Sequence, residues 1–410
     1  MAVPTGQHLR LLAETTKRYR APYASEHLAF NQASDVFTGF FLPPRQTHGG
    51  IEACSRAIRR IEDALGVPLA IETGVNYLRP RGDEIPDGDF LAELVHVADC
   101  GILLDLHNVY CNERNGRQSV EEFLAHLPLD RVWEIHLAGG FELKGFWLDA
   151  HSGAIPDPLL AIAREVVPNL PNLKAIIFEI FSSFLPVFGL DGVRDQMEHL
   201  RSLWALRRPS STQSGLRTVA PVLTCLGPDV REWEDALGSM AVGRAPQTPL
   251  DHELIDDPGL PLIRALIEQF RASMVVGVYR LTSRFLMLAL TPDVLTALLQ
   301  DFWSRCAPHQ YAATEADAFY SDLEARGLNL PWFRKLLEFE RASLLTIIDS
   351  QTRTICFDAD PLPILRALAD GHLPTEIPQQ GKYEVELTPD GPLTVSGINI
   401  AEVTRTFPFH

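Results

Sequence analysis

The sequence predicts an α/β domain built from repeated βα units around a parallel sheet, followed by a mostly α-helical domain with a short β tail. Two observations predict this organisation. Five short apolar runs alternate with amphipathic stretches in the first half of the chain, and this alternation stops after about residue 210. Strands that alternate with helices at such spacing are typical of a parallel sheet.

The predicted strands are APYASEH (21–27), PLAIET (68–73), GILLDLHN (101–108), VWEIHLA (132–138) and KAIIFEI (174–180). The predicted helices of this half cover residues 53–66, 90–100, 119–127, 157–167 and 191–208. Ser119 followed by Glu122 is a capping-box pattern, which places a helix start at Ser119.

The second half of the chain lacks the alternation of apolar runs and amphipathic stretches. RRPSSTQSG (207–215) is polar and contains proline and glycine, so we expect a linker and a domain boundary near 210–220. The predicted domains are therefore 1–210, an α/β domain, and 220–410, a mostly helical domain. Helical periodicity covers 258–274, 291–307, 315–327 and 331–349, and two alternating runs around the turn signal PDG form the tail at 382–400.

Composition excludes several classes of protein. The net charge of −17 over 410 residues argues against a general nucleic-acid or acidic-membrane surface, which needs clustered Lys and Arg. The six cysteines form no C-x-x-C pair, so zinc-ribbon spacing is absent. No apolar run reaches the roughly 18 residues that span a bilayer, and the start lacks a signal peptide. We therefore expect a cytoplasmic protein with reduced thiols.

Each predicted strand carries a metal-competent side chain at or near its carboxyl end. These residues are His27 (after Glu26), Glu72, Asp105, His136 and Glu179. In a parallel α/β barrel the carboxyl ends of all strands open onto one face, where catalytic residues gather. An acid or imidazole in an apolar strand is costly to bury without a partner, and a cluster of cations would compensate all five together.

Further candidate ligands lie close to two of these strands. His107 and Asn108 follow Asp105, while Asp149 and His151 lie in the loop after the fourth strand. Taken singly, each has a structural alternative: a hydrogen-bonded histidine, a carboxylate paired with arginine, or a turn asparagine. Imidazoles and carboxylates without thiolate spacing fit Fe, Mn or Zn in a multinuclear site. The ligand set leaves hydrolysis and oxygen chemistry both open.

The motifs SEHLAF, IETGVNYL, LLDLHNVYCNERNG, LPLDRVWEIHLAGG, LDAHSGAIPDP and IIFEI occur in this order between residues 25 and 180. In order and spacing they resemble the multinuclear non-haem iron-dependent oxidative enzymes, which include the iron oxidase of methanobactin biosynthesis. The resemblance covers about residues 15–205. It implies a TIM barrel of the xylose-isomerase type, two or three iron ions as Fe(II)/Fe(III), and O₂ as co-substrate. The implied substrate is a ribosomally synthesised precursor peptide, usually modified at cysteine.

The resemblance also implies a ligand set and shows where this chain departs from the family pattern. The implied iron ligands are His27, Glu72, Asp105, Asn108, His136, Asp149, His151 and Glu179. The family has Asp at Glu26, Asn at Thr73 and His107, His at Gly140 and Asp at Phe181. His107 could replace the missing histidine, because it lies two residues from Asp105 on the same strand face.

Family members carry three further βα units before the strand that holds His27, so we expect an N-terminally truncated barrel, a start codon set too late, or a gap filled by the second half. The second half resembles the small partner proteins of this family in 330–349 and 358–374, which implies a fused, precursor-binding domain. A generic helical accessory domain is the alternative. Two rival functions remain: a metal-dependent hydrolase or isomerase, and a non-catalytic peptide-binding scaffold.

Overall fold

A computed structural model describes residues 6–34, 36–208, 228–375, 378–389, 394–397 and 400–404. The chain divides into two compact units. The first comprises Met1–Val36 and Phe40–Arg264, and the second comprises Phe37–Gly39 and Ala265–His410. Among the described residues, no helix combines the length and apolar character required to cross a membrane.

The described residues up to 179 contain nine strands: β1 (Ala24–His27), β2 (Phe30–Ala33), β3 (Val36–Leu42), β4 (Leu69–Glu72), β5 (Gly101–Asp105), β6 (Val132–Ala138), β7 (Phe141–Leu143), β8 (Phe146–Leu148) and β9 (Ala175–Glu179). The helices that begin before residue 260 are α1 (Gly6–Tyr19), α2 (His48–Leu65), α3 (Asp87–Ala98), α4 (Leu106–Arg114), α5 (Val120–His126), α6 (Asp157–Val166), α7 (Leu185–Ala205), α8 (Pro228–Ala241), α9 (Pro249–Ile255) and α10 (Gly259–Val278).

Five of these strands form one parallel sheet in the order β1-β4-β5-β6-β9, with a helix in each crossover. The sheet is curled, since Tyr23 before β1 hydrogen-bonds to Glu134 on β6 across two intervening strands. In a flat sheet these strands would lie roughly 14 Å apart. β4 and β5 are buried over their full length, as strands covered by helices must be. The α/β fold class with repeated βα units is therefore confirmed.

Local sequence explains where several of these elements begin and end. Ser119 caps α5, and Glu122 returns the hydrogen bond to the Ser119 backbone, so the predicted capping box is confirmed. Helix α2 begins after Thr47, whose side chain accepts from Gly50 N, and it ends at Gly66 in the left-handed conformation. Fully buried apolar residues between sheet and helices form the core of this unit, including Ile58, Ile71, Phe90, Leu104, Ile135 and Leu159.

The second unit contains α11 (Arg280–Ala289), α12 (Pro292–Arg305), α13 (Ala312–Arg326), α14 (Phe333–Asp349), β10 (Arg353–Ala359), α15 (Pro361–Ala369), β11 (Gln380–Leu387), β12 (Thr394–Gly397) and β13 (Ile400–Thr404). The strands form an antiparallel sheet in the order β10-β11-β12-β13. The helical character of this half and its short strands were predicted, whereas α11 and β10 were not. The PDG turn signal extends into residues 390–393, outside the described residues.

The predicted linker and the boundary near 210–220 fall on residues 209–227, outside the described part of the chain. Helices α8 and α9, which the sequence assigned to the second domain, lie in the first compact unit. Trp233 of α8 is fully buried there, and its indole N–H donates to the carbonyl of Pro43. The functional division into a metal domain and a precursor-binding domain stays a prediction.

Candidate metal centre

The carboxyl ends of the parallel strands bring four predicted ligands together. Each of Glu72, Asp105, His136 and Glu179 offers one ligand atom, and these atoms lie within 4.8 Å of one another. The register accounts for this convergence, because Asp105 is the partner of His136 across β5 and β6, and Ala138 is the partner of Glu179 across β6 and β9. The predicted meeting of these side chains at one edge of the sheet is found in the structure.

His136 lies at the centre of this cluster. Its Nδ1 is 3.5 Å from Glu72 Oε1 and 3.3 Å from Glu179 Oε1, while its Nε2 is 2.9 Å from Glu134 Oε1. Burial lowers the pKa of His136, but the carboxylates of Glu134, Glu179 and Glu72 outweigh it and raise the pKa to about 12. A positive charge is therefore strongly favoured at this point of the protein.

Asp105 contributes to both fold and site. Its Oδ1 accepts a hydrogen bond of 2.8 Å from the backbone N–H of Asn108, which makes Asp105 the N-cap of α4. Its Oδ2 is buried and has no hydrogen-bond partner among the described residues. Burial, with repulsion from Asp149 and Glu72, raises the pKa of Asp105 well above its usual value.

A second group of side chains surrounds Asp149 in the loop after β8. Asp149 Oδ1 lies 2.9 Å from His107 Nδ1 and 2.9 Å from His151 Nε2. His151 also lies 3.5 Å from Glu179 Oε2, which connects this group to the four-residue cluster. Burial raises the pKa of Asp149, but the two histidines outweigh it and lower the pKa overall.

His107 is fully buried on α4, and the prediction that it shares a strand face with Asp105 is wrong, because β5 ends at Asp105, which caps the helix. Its ring occupies the space next to Gly140. A Cβ added at Gly140 would lie 2.8 Å from His107 Nε2 and 2.2 Å from the carbonyl oxygen of Leu148. The chain therefore has no room for a side chain at position 140 in this arrangement. His107 presents Nδ1 to Asp149, and its Nε2 is 3.5 Å from the indole nitrogen of Trp147.

His27 and His151 lie at the more open side of the site. His27 Nε2 is 3.3 Å from Glu72 Oε2, and 38% of the His27 side chain is exposed. Its ring stacks on Phe41 at 4.4 Å, while the ring of His151 lies 4.6 Å from that of Phe181. Both phenylalanines are exposed, so two aromatic side chains flank the candidate ligands at the surface.

Asn108 lies in the first turn of α4, not in a turn between elements. Its Nδ2 donates to the carbonyl of Thr73 at 3.1 Å, which ties the loop after β4 to the helix. Its Oδ1 is buried and has no hydrogen-bond partner within the described part of the chain. Asn112, one helical turn later, accepts from the backbone N–H of Asn76 and so has a structural role.

The donor atoms fit a bound cation. Four buried atoms of candidate ligands make no hydrogen bond to any described residue: Asp105 Oδ2, Asn108 Oδ1, His136 Nδ1 and His151 Nε2. Buried polar atoms in native proteins nearly always have partners, so such a set indicates a missing one. The mixture of carboxylate, amide and imidazole donors suits iron, manganese or zinc, as the sequence predicted.

Two residues that the sequence analysis did not single out complete the surroundings of His136. Glu134 is buried and accepts from His136 through Oε1 and from the hydroxyl of Tyr23 through Oε2. The sequence carried a signal for Glu134, since residues two apart on a strand face the same side. No pattern in the sequence pointed to Tyr23.

Solved structures and curated relatives each resemble part of the chain. A UPF0276 protein of Chromobacterium violaceum is 35% identical over 176 residues, covering 43% of this chain and 64% of the relative. A UPF0276 protein of Anaeromyxobacter sp. (strain Fw109-5) is 32% identical over 171 residues, covering 42% and 60%. A crystal structure of an IolI protein with a zinc atom matches with 15% identity and a TM-score of 0.33, covering 48% and 68%.

The chain thus spans about 60 to 64% of the length of the two curated relatives. Residues 2–189 match the family model described as RiPP precursor modification enzyme MbnB/TglH/ChrH, where RiPP denotes a ribosomally synthesised and post-translationally modified peptide. This range contains every predicted ligand, from His27 to Glu179. The family resemblance predicted from the motifs is thereby confirmed for residues 2–189.

Proposed function

We propose that this protein is an iron- and O₂-dependent enzyme that oxidatively modifies a ribosomally synthesised precursor peptide at cysteine. The observation that carries the proposal is the convergence of Glu72, Asp105, His136 and Glu179 within 4.8 Å, in residues that match a family of RiPP precursor modification enzymes. The buried donor atoms without hydrogen-bond partners among the described residues support a resident cation at this place.

The side chains around the cluster suggest how two or three ions would be held. Glu72, Asp105, His136 and Glu179 form the central group. His27 adjoins it through Glu72, at 3.3 Å, and His151 adjoins it through Glu179, at 3.5 Å. Glu72 and Glu179 therefore each lie between two histidines, which is the position of bridging carboxylates. The remaining proposed ligands are Asp149, which faces His151, and Asn108 and His107 on α4.

Iron bound here would supply the redox chemistry, with O₂ accepting the electrons removed from the cysteine side chain. The protein's own groups would hold and orient the reactants. Asp149 fixes the ring of His151 through a close contact at 2.9 Å, and Phe41 stacks on His27. The exposed Phe41 and Phe181 would offer apolar surface to a peptide segment that reaches the more open side of the site.

We further propose that the second unit recognises the precursor, as its resemblance to the partner proteins of this family implies. The two stretches that carry the resemblance, 330–349 and 358–374, contain α14 and α15, which contribute Phe339 and Leu365 to the core of this unit. A recognition site on the same chain would hold the reactive cysteine at high effective concentration near the metal centre. A precursor without its leader segment should then be modified far more slowly than the full peptide.

The proposal is tested by co-expressing the full chain with cysteine-containing candidate precursors and measuring peptide mass. We expect a mass change with the wild-type chain that disappears for His136→Ala and for Glu179→Ala. His126→Ala is a matched control, because this half-exposed histidine ends α5, pairs with Asp89 and lies outside the candidate ligand set. This control should retain the modification.

Metal analysis after anaerobic purification separates the proposal from its rivals. Iron in a ratio of two or three per chain, with a visible absorption band in air, supports the oxidase. Colourless protein that contains only zinc or manganese, together with hydrolysis or isomerisation of a small substrate, would contradict it. Absence of any tightly bound metal under anaerobic iron loading would favour a peptide-binding scaffold.

A further inference from the structure

Glu134 contacts His136 on one side and Tyr23 on the other, and so connects the candidate site to a residue before β1. Glu134 and His136 are two residues apart on β6, so their side chains project to the same side. Glu134 Oε1 lies 2.9 Å from His136 Nε2, and Glu134 Oε2 accepts from the Tyr23 hydroxyl at 2.5 Å. Both oxygens of this buried carboxylate are therefore used, one by His136 and one by Tyr23.

The contact determines which nitrogen of His136 carries a proton. An ionised carboxylate can only accept hydrogen bonds, so the ring N–H that faces Glu134 must be on Nε2. Nδ1, the other nitrogen, is buried between Glu72 at 3.5 Å and Glu179 at 3.3 Å. It makes no hydrogen bond to any described residue, so it is the nitrogen that can bind a cation once its own proton has left.

Tyr23 holds Glu134 in place from the far side of the curled sheet. The Tyr23 ring lies edge-on to Trp133 at 5.6 Å, and the ammonium group of Lys174 lies 4.8 Å from the Tyr23 ring and 3.7 Å from that of Trp133. The backbone N–H of Lys174 also donates to the carbonyl of Trp133. These contacts hold the Tyr23 ring in the position from which its O–H donates to Glu134. Tyr23, Glu134 and His136 therefore form one hydrogen-bonded series.

We propose that Glu134, held by Tyr23, is a positioning residue that fixes His136 with its proton on Nε2 and directs Nδ1 to the metal. This inference rests on the proposed metal-dependent function and adds to it which atom of His136 binds. A carboxylate behind a metal-binding imidazole orients the ring and increases its basicity, and losing it commonly costs about 10–100-fold in metal affinity.

The test measures metal binding without any peptide substrate. Fe(II) affinity is determined anaerobically by competition with a chelator for the wild-type chain, Glu134→Gln and Tyr23→Phe. We expect a loss of about 10–100-fold for Glu134→Gln and a smaller loss for Tyr23→Phe. Because Tyr23 acts through Glu134, the double variant should bind no more weakly than Glu134→Gln alone.

Glu62→Gln is the matched control for Glu134→Gln. Glu62 on α2 likewise accepts a hydrogen bond within the first unit, from the backbone N–H of Leu69, and takes no part in the cluster. Its substitution should leave Fe(II) affinity within twofold of wild type. Circular dichroism and thermal unfolding of each metal-free variant establish that it folds, and Tyr23→Phe removes a single oxygen should Glu134→Gln prove unstable.

A second measurement reports the binding atom directly. In the Zn(II)-loaded wild-type protein, multiple-bond ¹H–¹⁵N spectra of the histidine rings should show His136 with metal on Nδ1 and a proton on Nε2. Metal on Nε2 would overturn the inference, as would unchanged Fe(II) affinity in both Glu134→Gln and Tyr23→Phe. A wild-type chain that binds neither metal would instead defeat the proposed function, so the two failures are distinguishable.

Discussion

Asp105 and His136 are direct partners across the neighbouring parallel strands β5 and β6, and both side chains enter the same cluster. Asp105 also caps α4 through its Oδ1, which leaves Oδ2 buried toward the site. A single carboxylate thus connects the start of a helix to the candidate metal centre. Burial and the neighbouring carboxylates of Asp149 and Glu72 make ionisation of Asp105 costly in the metal-free protein, which raises its pKa.

Metal addition should stabilise the first unit. A ligand that binds only the folded state at 100 times its dissociation constant adds about 2.7 kcal/mol to the free energy of unfolding. For a unit of this size we expect the melting temperature to rise by roughly 5–10 °C. Scanning calorimetry with and without Fe(II) under anaerobic conditions measures this, and a chelator should reverse it. Equal melting temperatures in both states would contradict a metal centre of useful affinity.

Asp105→Asn should separate metal binding from stability. Asparagine also serves as an N-cap, so α4 keeps its cap, while the buried carboxyl group with its raised pKa is replaced by an amide that cannot ionise. We expect metal affinity to fall at least about tenfold and the metal-free protein to become more stable by on the order of 1 kcal/mol. Denaturant unfolding and metal titration on the same sample check both effects. A variant that loses stability and keeps its affinity would show that Asp105 serves only the fold.

Metal affinity should depend on pH through the histidines. The pKa of His136, raised to about 12, means that its ring is imidazolium in the metal-free protein at neutral pH, and the raised pKa of His151 favours the same form of that ring. The contribution of these two protonated rings to the stability of the fold is fully present below pH 6.5, and it is lost as the pH rises through their raised pKa values. A metal must displace at least one proton, so its affinity should increase at least about tenfold per pH unit. Titrations between pH 6.5 and 8.5 measure the slope, and a flat profile would be inconsistent with this protonation state.

Gly140→Ala should destabilise the first unit. The added Cβ would lie 2.2 Å from the Leu148 carbonyl oxygen and 2.8 Å from His107 Nε2, so the backbone must move. We expect a loss of roughly 1–3 kcal/mol, in the range of overpacked cores. His107→Asn in the same chain should recover only part of this loss, because the contact with the Leu148 carbonyl remains. Full recovery would show that His107 alone limits the space at position 140.

Glu340→Gln should remove a pH dependence of the second unit. Burial raises the pKa of Glu340 to about 7, although its carboxylate accepts from the backbone N–H groups of Leu281 and Thr282 at the start of α11. The folded state favours the protonated form of Glu340. Its contribution to the stability of the fold is therefore fully present below about pH 4.5 and is lost as the pH rises through 7. We expect a decrease on the order of 2–3 kcal/mol over that interval for wild type. Denaturant unfolding should show a flatter profile for Glu340→Gln, and an identical slope would contradict the prediction.

Much of the first unit was predictable because its information is local. Short apolar runs, amphipathic stretches and the Ser119 capping box located the five parallel strands and several helices, and each of these strands carries a candidate ligand at or near its carboxyl end. The sequence patterns did not show to which unit helices α8 and α9 belong. They are amphipathic helices like those of the second half, and only the burial of Trp233 against the first unit shows where they pack.

The sequence by itself determined the order of the βα units and the presence of His27, Glu72, Asp105, His136 and Glu179 at the strand ends. These features depend on near neighbours along the chain and on the rule that parallel strands share one carboxyl edge. Tertiary structure alone decided which atoms meet. The curl of the sheet brings Tyr23 to Glu134, and the close approach of the chain at Gly140 gives His107 its place beside Asp149. Such contacts join residues that are far apart in the sequence, and patterns of neighbouring residues do not predict them.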